Sequence, residues 1–593
     1  MAVCGLSCGP LHGCASAPVP TPVQPADAEH GGSAGATEVV TPVAPPVDSA
    51  NPAPGLVLPE EAIAARAHAQ AYVLGGAKTM FGAYAIEPPE IPEYGPAPAP
   101  TLEELPGSAG VGTGGLSDAS DDEELPGAAS DGADEEPAVD GLGLGVYVPL
   151  EDTTPLRGFY DALRKLDRGE DEDGKVRVLI YGGSHTEADV YTTYLRSYLQ
   201  HRFGDGGLGF VSLVRTNRWY GQFALAVESS KGWMTEHAQR SKARDDGYYG
   251  LLGASVYTTK VHEYGRVTPR ERAPTTDGKT TYELLFLRQP RGGSFSVTVG
   301  EQRVGTVDTR GKKYEAGYFS VTRDKGPELV EVRPKWKSSS KSKSSAKSSA
   351  KSSKRARSTG EIRLFGMVVE NENDGVVVDT LGISGTRAAN HLKWDEPMWT
   401  DQVKRRDPAL YILAYGVNEA SDTDVPISHY RETLKATLER FKRAAPEASC
   451  LLIGPSDYHR KSADGEFRPV PRTQQIRDTQ REVAAELGCG FWDTIAFMGG
   501  VGAMDVWANA EPQLGKADHI HMTKRGYLRI GMGLTDAIMD GYDHGEFADE
   551  GDAPAGDSTD AKDAKVDANV DAGDGANADD EASASAASAD ERP

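Results

Sequence analysis

Ser184, Asn418 and His521 are polar side chains whose types and order along the chain could carry out acyl transfer. A serine hydroxyl is a weak nucleophile until a neighbouring base takes its proton. An imidazole titrates close enough to neutrality to do that. His521 is the candidate base, and Asp518, three residues earlier, would accept from its other ring nitrogen and fix the tautomer. Attack on a carbonyl builds negative charge on its oxygen, and that charge needs preorganised donors.

The elements around these residues are suited to positioning them. Val176–Tyr181 has the length and β-branched content of a buried parallel strand, and it runs into Gly182-Gly183-Ser184-His185-Thr186-Glu187. Thr186–Phe203 then has helical spacing, so Ser184 sits in a turn at the mouth of an open α/β sheet. Its backbone N–H lies at a helix start, where negative charge is stabilised. Val376–Leu381 and Leu410–Tyr415 read as further strands, ending in Gly382-Ile383-Ser384-Gly385-Thr386 and Gly416-Val417-Asn418-Glu419. Asp518-His519-Ile520-His521 opens the last helical stretch.

Serine, glycine, asparagine and histidine in these four blocks, in this order, resemble the SGNH (GDSL-type) serine hydrolases. The match covers roughly residues 146–225 and 373–545. The resemblance implies a three-layer α/β/α, flavodoxin-like fold with Ser184, His521 and Asp518 as catalytic residues. It assigns the oxyanion hole to the backbone N–H groups of Ser184 and Gly385 and to the Asn418 side-chain amide. It implies neither a metal nor an organic cofactor. Two positions depart from the family pattern: Gly183 replaces the usual aspartate of the first block, and Met522 replaces the usual proline after the histidine.

Other readings of the same residues stay open. Asn418 could simply occupy a turn, and Asp518 could cap the following helix. His185 is badly placed to accept from its own neighbour and is expected to hydrogen-bond locally. His519 is expected to face solvent. Gly454-Pro455-Ser456-Asp457 ends a strand on the same edge, and either lines the cleft or is a turn.

The chain has 593 residues and a formal charge of −26. Residues 1–145, dominated by Ala, Pro, Gly, Asp and Glu, and 546–593, mostly Ala and Asp, cannot bury enough apolar surface to fold. Within the first tract, Pro59–Tyr84 could form a short helix. The acidic tail carries a large share of the charge, and so acidic a chain is a poor nucleic-acid binder. Residues 226–372 hold short alternating runs, among them Tyr282–Arg288, Ser294–Val299 and Glu361–Val369, separated by Gly or Pro. They predict an inserted antiparallel β-sandwich. It resembles the jelly-roll, carbohydrate-binding-like domains inserted in some bacterial cell-wall acetylesterases of the family; a plain shield over the cleft is the alternative. Trp233, Tyr248 and Tyr249 are its candidate sugar-stacking side chains. Lys337–Ser358 is a Lys/Ser/Ala loop with a spacer's composition.

The five cysteines show neither a disulfide framework nor metal-ligand spacing. Leu11-His12-Gly13-Cys14 loosely resembles a lipoprotein lipobox, which makes Cys14 the candidate lipidation site, although no basic n-region or apolar core precedes it. No run is apolar and long enough to span a bilayer. The combined expectation is an exported serine esterase of the cell envelope or periplasm, with a cytoplasmic location as the alternative. It would remove acetyl or other short acyl groups from an O-acylated polysaccharide or peptidoglycan through an acyl-Ser184 intermediate. An O-acyltransferase and a non-catalytic polysaccharide-binding protein are the competing functions. Nothing in the sequence speaks to oligomeric state.

Overall fold

The computed structural model describes residues 56, 58–75, 146–240, 243–271, 273–274, 278–335 and 358–545. Cys14, the acidic tail and residues 337–357 of the Lys/Ser loop lie outside the described residues. Five parallel strands form the central sheet, in the spatial order Gly375–Gly382, Lys175–Gly182, Leu410–Ala414, Ser449–Ile453 and Gly490–Trp492. Chain order reverses on either side of Lys175–Gly182, which puts a crevice at that strand's C-terminal end. The three strands that meet there end level, with Gly182 opposite both Gly382 and Ala414.

Alternation along the central strand feeds two cores. Val178 and Ile180 join Tyr194, Leu195 and Ile538 on one face; Leu179 and Tyr181 join Trp399, Leu434 and Phe441 on the other. Helices Arg157–Asp167, Tyr191–Phe203 and Lys524–His544 cover the first face, and Glu396–Arg406, Ile427–Ala444 and Pro471–Glu486 cover the second. The result is the α/β/α sandwich that the alternating pattern predicts. An N-terminal helix, Glu60–Gly75, docks on Tyr191–Phe203 through fully buried Ala62, Ala65, Ala69 and Val73. Residues 76–84 of the expected helix lie outside the described residues.

Between the first and second parallel strands the chain forms two antiparallel sheets. One contains Thr280–Arg288, Ser358–Asn371 and Ala254–Lys260; the other contains Gly265–Pro269, Val330–Pro334 and Ser294–Val299. Phe286 and Phe295 meet edge to face between them, with centroids 5.8 Å apart. Gly209–Val211, upstream of residue 226, also pairs with Ser358–Asn371. These sheets share a core with the α/β layers, and Tyr181 Oη donates to Leu251 O at 3.0 Å.

Three expectations need correction. The helix expected over Thr186–Phe203 is broken at Asp189, whose φ is +52°. Its buried carboxylate accepts from Thr192, Thr380 and the Phe223 N–H, contacts that no local pattern encodes. Cys450 and Cys489 form a disulfide, because the two strands beside them are neighbours in the sheet. Tyr249 is buried and donates to Arg244 O, while Tyr248 stacks on Tyr314 and Trp233 donates to Tyr264 O. Among the described residues the exposed tryptophan is Trp219, 43% exposed.

A buried ion-pair network fastens the edge strand. Arg406 reaches Asp379 and Glu370, both at 2.7 Å, and Arg177 reaches Glu370 at 3.0 Å. Burial works to raise the Glu370 carboxyl, but Arg406 and Arg177 outweigh it and hold it at about 2. Arg406→Met leaves the buried Asp379 carboxylate without its cation, and Glu370 with Arg177 alone, and is expected to lose about 3–5 kcal/mol in urea unfolding. Because Glu370 titrates below its ordinary 4.5, its contribution is complete above that pH and disappears as pH falls towards about 2. The stability difference between wild type and Glu370→Gln should shrink over the same window.

Candidate active site

The level strand ends deliver three loops side by side. Ser184 opens a single helical turn, Ser184–Glu187, directly after the central strand. Its Oγ lies 2.9 Å from His521 Nε2, and His521 Nδ1 lies 2.8 Å from Asp518 Oδ2. Asp518 Oδ1 also accepts the backbone N–H groups of Ile520 and His521, at 3.0 and 2.9 Å. Burial would raise the Asp518 carboxyl, but the imidazole and these two N–H groups hold it well below the usual carboxylate range. Asp518 is therefore an acceptor, so His521 carries its proton on Nδ1 and offers a lone pair at Nε2 to the serine hydroxyl. The cap of helix Lys524–His544 is Thr523, which accepts from Gly526 N–H, so Asp518 is not the cap.

The donor side forms opposite. Gly385 has φ +78°, a left-handed conformation that favours glycine. Neither its N–H nor that of Ser184 has a hydrogen-bond partner among the described residues. Asn418 Nδ2 donates to Thr386 O at 3.0 Å, leaving its second hydrogen available. A Cβ on Gly183 would lie 2.9 Å from that Nδ2. A side chain at 183 would therefore require the Asn418 amide to shift. A buried carboxylate with no local sequence signature joins the loops: Glu187 accepts from Ser384 N–H at 2.9 Å and from Asn217 Nδ2 at 2.6 Å. Burial pushes its carboxyl up, and those hydrogen bonds work against the shift.

His185 does not face the hydroxyl as a base. Its Nδ1 pairs with Tyr527 Oη at 2.9 Å, and burial, followed by repulsion from His521, pushes it down to about 3. Contrary to expectation, His519 is buried and stacked on Phe467, 3.7 Å between centroids. A mostly apolar cavity opens beside Gly183 and Asn418, lined in part by Ile453, Pro455, Thr494, Met522 and Ile530. Pro455 and Ser456 of the Gly454–Asp457 turn belong to its wall. A hydroxyl, an imidazole, a carboxylate and facing N–H donors in one crevice can together perform acyl transfer to and from a serine.

Residues 352–529 match the model of the GDSL-like lipase/acylhydrolase family. The chain carries a GDSL-like acylhydrolase domain. It is a carboxylic ester hydrolase of that type. The matched span contains Gly385, Asn418 and His521, while Ser184 lies upstream of the inserted sheets. No curated protein sequence matches the chain. Among solved structures, a peptidoglycan O-acetylesterase aligns over 66% of this chain and 99% of its own, at 20% identity and a TM-score of 0.53. A family two carbohydrate esterase from Cellvibrio japonicus aligns over 54% and 99%, at 10% identity and a TM-score of 0.22.

Gly183→Ala should push the Asn418 amide away while leaving the sheet intact. The expected result is a fall in kcat for p-nitrophenyl acetate with an unchanged melting temperature.

Proposed function

We propose that this esterase removes acetyl or another short acyl group from an O-acylated envelope polysaccharide, with Ser184 as nucleophile. The Ser184–His521–Asp518 relay, closed at 2.9 and 2.8 Å, is the observation that carries the reading. His521 Nε2 takes the hydroxyl proton as Ser184 Oγ attacks the ester carbonyl. The Ser184 and Gly385 N–H groups and the Asn418 amide receive the developing oxyanion. Collapse expels the sugar alkoxide, which takes the proton from His521, and leaves acyl-Ser184. Water, deprotonated by the same imidazole, then attacks the acyl carbon, and the imidazolium returns the proton to Ser184 Oγ as the Oγ–acyl bond breaks and the carboxylic acid leaves.

Three features support the substrate class. The cavity beside Gly183 and Asn418 offers apolar walls to the end of a short acyl chain. Trp219 presents an exposed ring on a loop that Asn217 ties to Glu187, three residues after Ser184. The similar fold of a peptidoglycan O-acetylesterase agrees with a glycan ester. The Cys450–Cys489 disulfide favours an oxidising, extracytoplasmic location.

Ser184→Ala should abolish hydrolysis of p-nitrophenyl acetate. Asn418→Ala should lower kcat about 10²–10³-fold with little change in KM, because its contact strengthens only in the transition state. On O-acetylated peptidoglycan, Trp219→Ala should raise KM while leaving turnover of the small ester unchanged. Full activity in Ser184→Ala would refute the nucleophile. Release of acetate from the small ester but from no acetylated glycan would refute the substrate class.

A further inference from the structure

We propose that His459, Asp505 and His519 form a binding site for a divalent transition-metal ion of the zinc type. The three residues come from separate segments: the short strand His459–Lys461, the helix Ala503–Asn509 and the loop before His521. That dispersal explains why the sequence shows no ligand spacing. One ligand atom from each lies within 4.8 Å of those from the other two.

His459 carries the argument. It is 2% exposed, and its Nε2 lies 2.9 Å from Asp457 Oδ2. That oxygen already accepts the backbone N–H groups of Gly502 and Met504, each at 2.9 Å, so it acts as an acceptor and His459 donates through Nε2–H. The proton on Nε2 leaves a lone pair on Nδ1, which is buried and has no hydrogen-bond partner. An unmet lone pair on a buried ring costs free energy that a cation would recover. A carboxylate that fixes the outer nitrogen of a histidine while the inner one faces the ion is the usual second layer of a metal centre. Asp457 also holds the first turn of the helix bearing Asp505.

His519 is arranged in the same direction. Its φ is +54°, its ring is clamped by Phe467, and its Nδ1 stands 3.5 Å from Asp505 Oδ1 without a hydrogen-bond partner. Two imidazoles and a carboxylate suit zinc and its first-row neighbours, with the fourth position left to water. Metal–ligand bonds of about 2.0–2.2 Å need the ligand atoms slightly closer than they stand. The Asp505 carboxylate is exposed and, among the described residues, held only by a long contact from Asn509 Nδ2, at 3.3 Å, so it can shift towards His459.

The full-length protein, stripped with a chelator, is titrated with Zn²⁺ by calorimetry, and bound metal is counted by elemental mass spectrometry. Wild type should bind one equivalent more than His459→Ala and one more than Asp505→Asn, and Zn²⁺ should raise the melting temperature of wild type alone. Asp505 is on the surface, so its variant keeps the fold even if His459→Ala does not. Zinc held elsewhere, for instance by the N-terminal cysteines, contributes equally to all three proteins. Retention of the wild-type stoichiometry and affinity by Asp505→Asn, or by a folded His459→Ala, overturns the site.

Discussion

The site depends on the level ending of three parallel strands. Gly182, Gly382 and Ala414 lie in one register row, so the chain leaves the sheet three times at the same height. A slip of one residue in either pairing would turn the side chains of that strand to the opposite layer. It would also carry Gly385 or Asn418 away from Ser184. Alternating burial resists that slip, because Leu179 and Tyr181 belong to one core while Val178 and Ile180 belong to the other. Packing in the layers thus sets the geometry of the crevice.

The inserted sheets take part in the same construction. They share a core with the α/β layers, and Gln239 donates to Thr386, whose carbonyl holds the Asn418 amide. Asn217, in the segment leading to the insert, reaches Glu187 at the end of the Ser184–Glu187 turn. The long insertion also separates Ser184 from the region that matches the family model, which begins at residue 352. The Ser184 turn is brought to the rest of the crevice by the pairing of its strand with both neighbouring strands, not by proximity in sequence.

What could be read from the sequence was local. Strand–turn blocks announce themselves by an apolar run ending in glycine, so Ser184, Gly385 and Asn418 were visible before any fold was known. Asp518 and His521 are three residues apart and were legible as a pair. Features requiring two distant segments were not. The break at Asp189 needs Thr380 and Phe223, the role of Glu187 needs Ser384, and the Cys450–Cys489 bond needs neighbouring strands. His519 looked exposed because the ring that covers it, Phe467, lies on a hairpin that its own neighbours do not reveal. Burial of aromatics in the insert is hidden for a related reason: the core they enter is shared with another layer, so Tyr249 is buried while Trp219, just upstream of the insert, is not.

The most direct test of the central claim is covalent capture. Full-length protein is treated with a serine-reactive fluorophosphonate and digested, and the modified peptide is sequenced by mass spectrometry. A single adduct on Ser184 is predicted, absent from Ser184→Ala and formed far more slowly in His521→Ala, because the attacking hydroxyl depends on that imidazole. An adduct on any other serine, or labelling of Ser184 at an unchanged rate in His521→Ala, would contradict the account.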